Sequence, residues 1–385
     1  MLTLSGRVIK KSEKNAVSHA GLYSLSTNEN LPEPLRHRKA FLINKSCEVP
    51  IGFAHYFHLE GTIAELPSIE KTTSLGREFA YFDNDDVISL MANGRIRSLY
   101  RANSVHNSIL LTEQCNNYCL MCSQPPKKID DSWILKEAFE AIRLIPRNAK
   151  VLGFTGGEPT IYGQEFINLL DHTKSWLPHT SLHVLSNGRY FSDENFAFKY
   201  AKVEHPDLMV GIPIYSSDPA THDYVVQAQG AFDETVRGVL NLKRLNQKVE
   251  IRVVLHKQTY KGLPELARYI GRNLLFVDQV VFMGLENIGF TLANIDSLWI
   301  DPIEYKDVLS EAVSILTSYG LRTGVYNHPL CLVNEDIHYA YVKSISDWKN
   351  EYAKECDPCK KKNQCGGFFS SGIQNGYSSS IEPFV

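Results

Sequence analysis

Short apolar stretches alternate with longer amphipathic segments through the middle of the chain. The apolar stretches have the length of buried strands, and the segments between them repeat apolar residues at helical spacing. This alternation predicts parallel β/α units. Six strands are predicted, at 108–111, 150–155, 181–185, 208–214, 249–255 and 279–284.

Five helices are predicted between these strands, at 132–145, 164–176, 193–202, 232–245 and 263–273. Pro146 and Pro178 stand just past the first two, as expected for a residue that cannot continue a helix. Six such units predict an α/β fold, a partial (β/α)6 barrel of the TIM type. In such barrels the chemistry lies in the loops at the carboxyl ends of the strands.

The first part of the chain follows a different pattern. Short β segments at 87–90 and 96–100 flank Asn93-Gly94, a strong signal for a two-residue hairpin turn. We therefore expect a β-rich region at 1–104, the barrel at 105–300 and a cysteine-rich region at 301–385. The role of the β-rich region stays open, because its residues form no recognisable catalytic set.

The composition of the chain limits the classes of partner that we expect. The chain has 385 residues, 40 basic and 43 acidic, and a net charge of −3. That balance argues against nucleic acid or an anionic membrane as the main partner. The N-terminus becomes charged too early for a signal peptide, and the apolar stretch at 274–285 is short and contains Asp278. A cytoplasmic protein is expected, and disulfides are rare in that compartment.

We therefore interpret the clustered cysteines as metal ligands or redox groups. They fall into two sets. The loop after the first strand, residues 112–124, is called the cysteine loop and carries Cys115, Cys119 and Cys122. The C-terminal group consists of Cys331, Cys356, Cys359 and Cys365. Cys47 stands alone and is expected to pack as an ordinary apolar residue.

The cysteine loop has three thiols in a C-x3-C-x2-C spacing. A four-iron cluster normally takes four thiolates, so three would leave one iron without a protein ligand. Open positions of this kind are where substrate or cofactor coordinates in catalytic metal sites. A structural zinc site would be closed by a fourth ligand, and zinc or unrelated thiols remain as alternatives.

Two further loops carry polar residues at strand ends. "FTGGEPT" follows the second strand: Gly156 and Gly157 would let a ligand approach the backbone, and Glu158 can accept from an ammonium group. "SNGR" follows the third strand and offers Ser186 and Asn187. Each stretch is also compatible with a simple turn.

"CNNYCLMC" followed by "GGEP" resembles the motifs of the radical SAM superfamily. The resemblance implies that a [4Fe-4S] cluster held by the three cysteines binds S-adenosyl-L-methionine (SAM) at its open iron. Reductive cleavage would then yield the 5′-deoxyadenosyl radical, chemistry that belongs to the cofactor. Met121 stands where this superfamily commonly has an aromatic residue that packs on adenine.

The same resemblance implies cofactor contacts from Ser186 and Asn187, and from Ser216 in "YSSDPATHDY", a stretch similar to radical SAM peptide-modifying enzymes. Asp218 is expected to cap the turn that follows it. His222 could act as an acid or base, but a structural role is the simpler expectation.

The C-terminal group has four cysteines, which is enough to close a metal site. It resembles the auxiliary cluster regions, of the SPASM or twitch kind, of radical SAM peptide maturases. That implies a second [4Fe-4S] cluster, with zinc or no metal as alternatives. The adjacent run Lys360-Lys361-Lys362 would partly offset the thiolate charge.

Together with "YNHPLC", "SISDWKNEY" and "CGGFFSS", these motifs resemble the radical SAM maturase family of the His-Xaa-Ser system, the HxsC type. The resemblance implies a precursor peptide or small protein with His-Xaa-Ser repeats, a second radical SAM maturase, and an electron donor such as flavodoxin or ferredoxin. Two alternatives are a radical SAM enzyme acting on a nucleotide or RNA, and a non-catalytic iron-sulfur or zinc protein.

Overall fold

The computed structural model describes residues 4–9, 20–45, 48–62, 71–343 and 350–385. Cys47 and most of the "SISDWKNEY" stretch, residues 344–349, lie outside these ranges. The chain divides into two compact units. The first unit comprises Met1–Ile109, Leu135–Leu152 and His172–Thr180, and the second comprises Leu110–Ile134, Gly153–Asp171 and Ser181–Val385.

The first unit is built on a seven-stranded sheet in the order β1-β7-β6-β2-β3-β4-β5. The strands are β1 (Ser5–Arg7), β2 (Gly21–Ser26), β3 (Ala40–Ile43), β4 (His55–Leu59), β5 (Thr72–Leu75), β6 (Val87–Leu90) and β7 (Arg95–Tyr100), with helix α1 (Glu33–Arg36) between β2 and β3. The predicted hairpin is confirmed: β6 and β7 pair antiparallel across Asn93-Gly94, and Gly94 has φ of 80°.

The core of this sheet is apolar, with Leu25, Leu42 and Phe57 fully buried among its members. An ion pair lies near its edge: Arg97 on β7 meets Glu137, which also accepts from Ser89 at 2.6 Å. All three residues belong to the first unit.

The second sheet has eight strands in the order β15-β14-β13-β12-β11-β10-β9-β8. They are β8 (Asn107–Leu110), β9 (Val151–Thr155), β10 (Ser181–Leu185), β11 (Leu208–Pro213), β12 (Lys248–Val254), β13 (Gln279–Met283), β14 (Thr323–Tyr326) and β15 (Tyr341–Val342). Pairing is parallel from β10 through β15. All six predicted strands are confirmed, in a barrel-like α/β sheet, and two further strands extend the sheet.

The helices that follow β8 along the chain are α2 (Ser132–Ile142), α3 (Gln164–Trp176), α4 (Glu194–Ala201), α5 (Pro219–Val226), α6 (Ala231–Arg244), α7 (Leu263–Asn273), α8 (Phe290–Ala293), α9 (Ile295–Leu298), α10 (Pro302–Ser318) and α11 (Ser370–Asn375). The five predicted helices are α2, α3, α4, α6 and α7. Helices α5 and α10 were not predicted; each begins with an Asp cap followed by Pro, a standard helix start.

The strands of the second sheet are largely apolar, as expected for parallel strands covered on both faces. Strand β12 departs from this pattern with Glu250 and Arg252, which share one face and form a 2.6 Å ion pair. Among the residues that the structure describes, no helix is both long and apolar enough to cross a bilayer.

Candidate functional site

The cysteine loop starts directly after β8, at the carboxyl end of the first barrel strand. Its three thiols are partly exposed and form no disulfide. Burial, together with smaller effects of the nearby Glu158 carboxylate and Cys122 thiol, raises the pKa of Cys115 to about 11. Burial and the neighbouring thiols likewise raise the pKa of Cys119. These sulfurs would therefore ionise only beside a compensating positive charge.

The two glycines of "GGE" are required by the cysteine loop itself. Gly157 N donates to Thr112 O at 2.8 Å, and a Cβ added to Gly157 would lie 2.1 Å from Gln114 O. A Cβ on Gly156 would lie 2.6 Å from Thr112 O. The glycines thus let the start of the cysteine loop lie directly on the end of β9. The predicted approach of a ligand to these glycines stays a prediction.

Glu158 joins two of the predicted loops. Its buried carboxylate accepts from Thr160 N at 3.0 Å, Thr160 Oγ1 at 2.6 Å, Ser186 Oγ at 2.9 Å and Asn187 N at 2.6 Å. Burial raises its pKa, while these donors act in the opposite direction. A carboxylate has about four acceptor positions. In Glu158 two of them accept from Thr160, and the other two hold the "SNG" turn through Ser186 and Asn187. Its predicted contact with an ammonium group is untested.

The "SNGR" turn in turn holds the cysteine loop. Asn187 Nδ2 donates to Asn116 Oδ1 at 2.6 Å. Arg189 Nη1 donates to Asn116 O at 2.8 Å and to Asn117 Oδ1 at 2.7 Å, while its Nε lies 2.6 Å from Glu234. Arg189 was not predicted as a site residue. The one sequence feature that could have indicated its role is its position immediately after "SNG".

Asp131 anchors the start of the cysteine loop and was also missed. It is buried just before α2 and accepts from Thr112 Oγ1 at 3.0 Å, Gln114 Nε2 at 2.9 Å, Tyr162 OH at 2.9 Å and the Glu113 backbone N–H. Burial alone would raise the pKa of Asp131, but these donors lower it below its ordinary value. The sequence pattern indicates only that Asp131 lies near the start of a helix.

Met121 lies on the inner side of the loop in an apolar cluster. It is buried with Tyr215, Val225 and Val226, and Leu285 packs against the same cluster. A thioether in such a place can contact a flat ring. The predicted packing on adenine is compatible with this position and stays a prediction.

The far end of the cysteine loop is held by the segment that enters α8. Phe290 N donates to Cys122 O at 2.9 Å, and Asn294 Nδ2 donates to Leu120 O at 2.9 Å. Gly289 has φ of 58°, and a Cβ there would lie 2.4 Å from Cys122 O. Backbone contacts therefore hold both ends of the loop.

The loop after β11 behaves as predicted where the structure tests it. Asp218 caps α5 by accepting from Thr221 N at 2.8 Å. His222 is buried, its Nδ1 accepts from Tyr215 N at 3.3 Å, and burial lowers its pKa to about 4. Ser216 Oγ accepts from Asp218 N at 3.0 Å, a contact within its own loop. A cofactor contact from Ser216 stays a prediction.

The C-terminal cysteines line one cavity although they come from separate segments. The lining residues include Cys331, Cys356, Cys359, Cys365, Tyr352, Phe368 and Phe384. Cys365 Sγ accepts from Leu330 N at 3.2 Å and Gly367 N at 3.3 Å. In the described ranges, no three His, Cys, Asp or Glu side chains stand close enough to form a ready site for a single metal ion.

Two of the three lysines beside this cavity lie over its aromatic rings. Lys361 Nζ is 4.1 Å from the Phe384 ring centroid, and Lys362 Nζ is 5.1 Å from that of Tyr352. Burial raises the pKa of Cys356, and the charge of Lys362 acts to lower it. The predicted offset of thiolate charge thus has a structural basis at Lys362.

Residues 109–270 match the model of the Radical SAM superfamily. The matched part of the chain, which holds the cysteine loop and both supporting turns, has the radical SAM fold.

Several solved structures resemble the chain. SuiB from Streptococcus suis is 14% identical with a TM-score of 0.47, over 59% of this chain and 50% of that one. AnSMEcpe with bound AdoMet is 16% identical with a TM-score of 0.45, over 57% and 62%. Coproporphyrinogen III oxidase (HemN) from Escherichia coli is 11% identical with a TM-score of 0.45, over 56% and 52%. The chain thus spans about half of the SuiB chain. No curated protein shows significant sequence similarity to it.

Proposed function

We propose that this chain is a radical SAM enzyme that modifies a ribosomally synthesised peptide or small protein. The carrying observation is the cysteine loop: three thiols at the carboxyl end of the first strand of a radical SAM domain. In this proposal Cys115, Cys119 and Cys122 hold a [4Fe-4S] cluster and leave one iron open for SAM.

The residues present fit such a group. Thiolates are the ligands that iron-sulfur clusters take, and three on one loop match a cluster with one open iron. When bound, the cluster and SAM would supply one-electron cleavage of a carbon-sulfur bond and a carbon-centred radical. The protein's own part is positioning. Asp131 and Gly157 hold the start of the loop, Arg189 its middle and Phe290 its end.

A peptide substrate is supported by the sequence motifs and by the C-terminal group, whose four thiols line one cavity. In this proposal that cavity holds an auxiliary [4Fe-4S] cluster. The finer assignment, a precursor with His-Xaa-Ser repeats processed together with a second radical SAM maturase, rests on the sequence resemblance. An electron donor such as flavodoxin or ferredoxin would supply the reducing equivalent.

SAM cleavage tests the enzymatic proposal. Anaerobically reconstituted protein with a reductant should form 5′-deoxyadenosine from SAM, and the Cys115→Ala/Cys119→Ala/Cys122→Ala variant should form none above background. The product is measured by liquid chromatography with mass detection, with wild type lacking reductant as the control. Equal activity in the triple variant would refute the proposal. Binding of SAM, measured by calorimetry, separates an enzyme from an iron-sulfur carrier.

The auxiliary cluster and the substrate need separate measurements. The Cys356→Ala/Cys359→Ala variant should lose about four irons per chain if the C-terminal group holds a cubane cluster. Unchanged iron together with bound zinc would favour a structural zinc site. Coexpression with a small protein carrying His-Xaa-Ser repeats should change that protein's mass, and an unchanged mass with active enzyme contradicts the assigned substrate.

A further inference from the structure

A second cavity lies within the second unit, beyond the carboxyl ends of β13 and β14. It has about 600 Å³ of space not filled by protein atoms, part of it open to solvent. Gly284, Leu285 and Asn287 after β13 line one side, and Asn327 after β14 lines another. Residues of the C-terminal segment from Gly367 to Ser378 line a third side.

This cavity adjoins both cysteine sets. Leu285, in its wall, also packs against the Met121 cluster beside the cysteine loop. Three of its lining residues, Pro329, Gly367 and Phe368, also line the cavity of the C-terminal cysteines. A group bound here would therefore lie between the two candidate cluster sites.

Three polar atoms of lining residues lack a hydrogen-bond partner within the described ranges: Asn287 Oδ1, Asn327 Oδ1 and Ser371 Oγ. Asn287 is 5% exposed and Ser371 is 3% exposed. A buried polar atom without a partner costs about 1–3 kcal/mol. Native proteins satisfy nearly all such atoms, so three around one cavity point to a ligand that supplies the partners.

The orientation of one of these amides is fixed by its neighbours. Asn287 Nδ2 donates to Gly376 O at 3.3 Å, which leaves its Oδ1 as the free acceptor. Asn375 Nδ2 donates to Asn287 O at 3.1 Å and links the C-terminal segment to the same residue. Asn327 has φ of 61°, a left-handed conformation that asparagine tolerates better than most residues.

Apart from Ser378, the remaining walls are apolar or aromatic, and every lining side chain is neutral. Trp299, Tyr305, Phe368, Phe369 and Tyr377 supply the rings. The Tyr305 hydroxyl is already paired with His328 Nε2 at 2.9 Å. Because two of the free atoms are amide oxygens, the missing partners are hydrogen-bond donors. Aromatic walls suit a flat group, and a neutral lining suits an uncharged one.

We propose that this cavity binds one side chain of the peptide substrate, and that this side chain presents a flat, neutral group with N–H donors. Asn287, Asn327 and Ser371 accept from it, and the aromatic rings pack on its faces. This assignment rests on the proposed function, since it takes a peptide as the substrate.

Calorimetry on the anaerobically reconstituted full chain, without SAM or reductant, tests it with two small probes. N-acetyl-citrulline amide carries a flat urea group with N–H donors, and N-acetyl-norleucine amide has a purely apolar side chain. The citrulline probe should bind at least about fivefold more tightly, as one or two added hydrogen bonds would give. Equal binding of the two probes, or binding of neither, overturns the proposal.

Two variants sharpen the test. Ser371→Ala should weaken binding of the citrulline probe severalfold and leave binding of the norleucine probe unchanged. Its control is Ser318→Ala, at the exposed end of α10. Asn327→Asp should bind the citrulline probe more tightly than wild type, because a carboxylate is a stronger hydrogen-bond acceptor than an amide. Its control is Asn246→Asp, which also has a left-handed backbone but is exposed. An Asn327→Asp variant that binds no better than wild type contradicts the assignment.

These measurements do not depend on turnover. Failure of SAM cleavage would refute the proposed function whatever the probes do. Failure of probe selectivity in a chain that does cleave SAM would refute only the assignment of this cavity.

Discussion

The two cysteine sets are organised in opposite ways. The first places three thiols on one short loop, and neighbouring loops hold that loop through its backbone. The second brings Cys331 together with Cys356, Cys359 and Cys365, which lie on a segment that begins 25 residues further along the chain. The geometry of the first site therefore depends on how neighbouring residues position one loop. The geometry of the second depends on contacts that join separate segments.

The largest expected effect on this comparison comes from Gly157→Ala. The added Cβ would lie 2.1 Å from Gln114 O, so the cysteine loop must move. We expect loss of the loop's iron, about four per chain, and of 5′-deoxyadenosine formation, while the iron of the C-terminal group remains. Iron analysis and product detection on the reconstituted protein measure both.

Gly262→Ala is the matched control for that variant. A Cβ at Gly262 meets no atom within 4 Å, and its φ of −87° suits alanine. Normal iron content in Gly157→Ala would show that the cysteine loop does not need its close backbone contact with Gly157.

A smaller effect is expected from Asp131→Ala. Without its carboxylate, the donors of Thr112, Glu113 and Gln114 lose their common acceptor. Supporting residues of this kind typically change metal affinity about ten- to hundredfold, and we expect a loss in that range. Chelator competition measures it.

The adjacent Asp130→Ala serves as the control, because Asp130 is exposed and accepts from Ser132 N at 3.1 Å. If the two variants release iron at the same rate, Asp131 does not support the site.

The smallest effect, confined to the C-terminal group, is expected from Tyr341→Phe. The Tyr341 hydroxyl donates to His328 O at 2.7 Å and accepts from Gly366 N at 2.7 Å, so it joins the segment after β14 to the one that carries Cys365. Its loss should destabilise this region by about 1–2 kcal/mol. Denaturant unfolding and the rate of iron release report the change.

Tyr339→Phe is the control for this prediction. Tyr339 is 64% exposed, and its hydroxyl lies 2.9 Å from Thr317 Oγ1. A Tyr341→Phe variant as stable as this control would mean that the segments are joined by other contacts.

The sequence predicted the barrel better than its supporting contacts. All six strands and five helices appeared where the apolar pattern placed them, because short apolar strands alternate with longer amphipathic helices. Asp131 and Arg189 were missed, since each contacts residues of the cysteine loop that no periodic pattern links to it. Glu158 was found by its motif, but the four donors around its carboxylate were not foreseen.

By itself, the sequence determined the spacing of the three loop cysteines, the order of strands and helices, and the glycines at the end of β9. These are local properties, set by neighbouring residues along the chain. The family resemblance grouped the four late cysteines in advance, and the tertiary structure shows that they line one cavity. Only the tertiary structure decided that Asn287, Asn327 and Ser371 line another. Such sites arise when distant segments pack together, and the sequence pattern of each segment carries no information about its eventual neighbours.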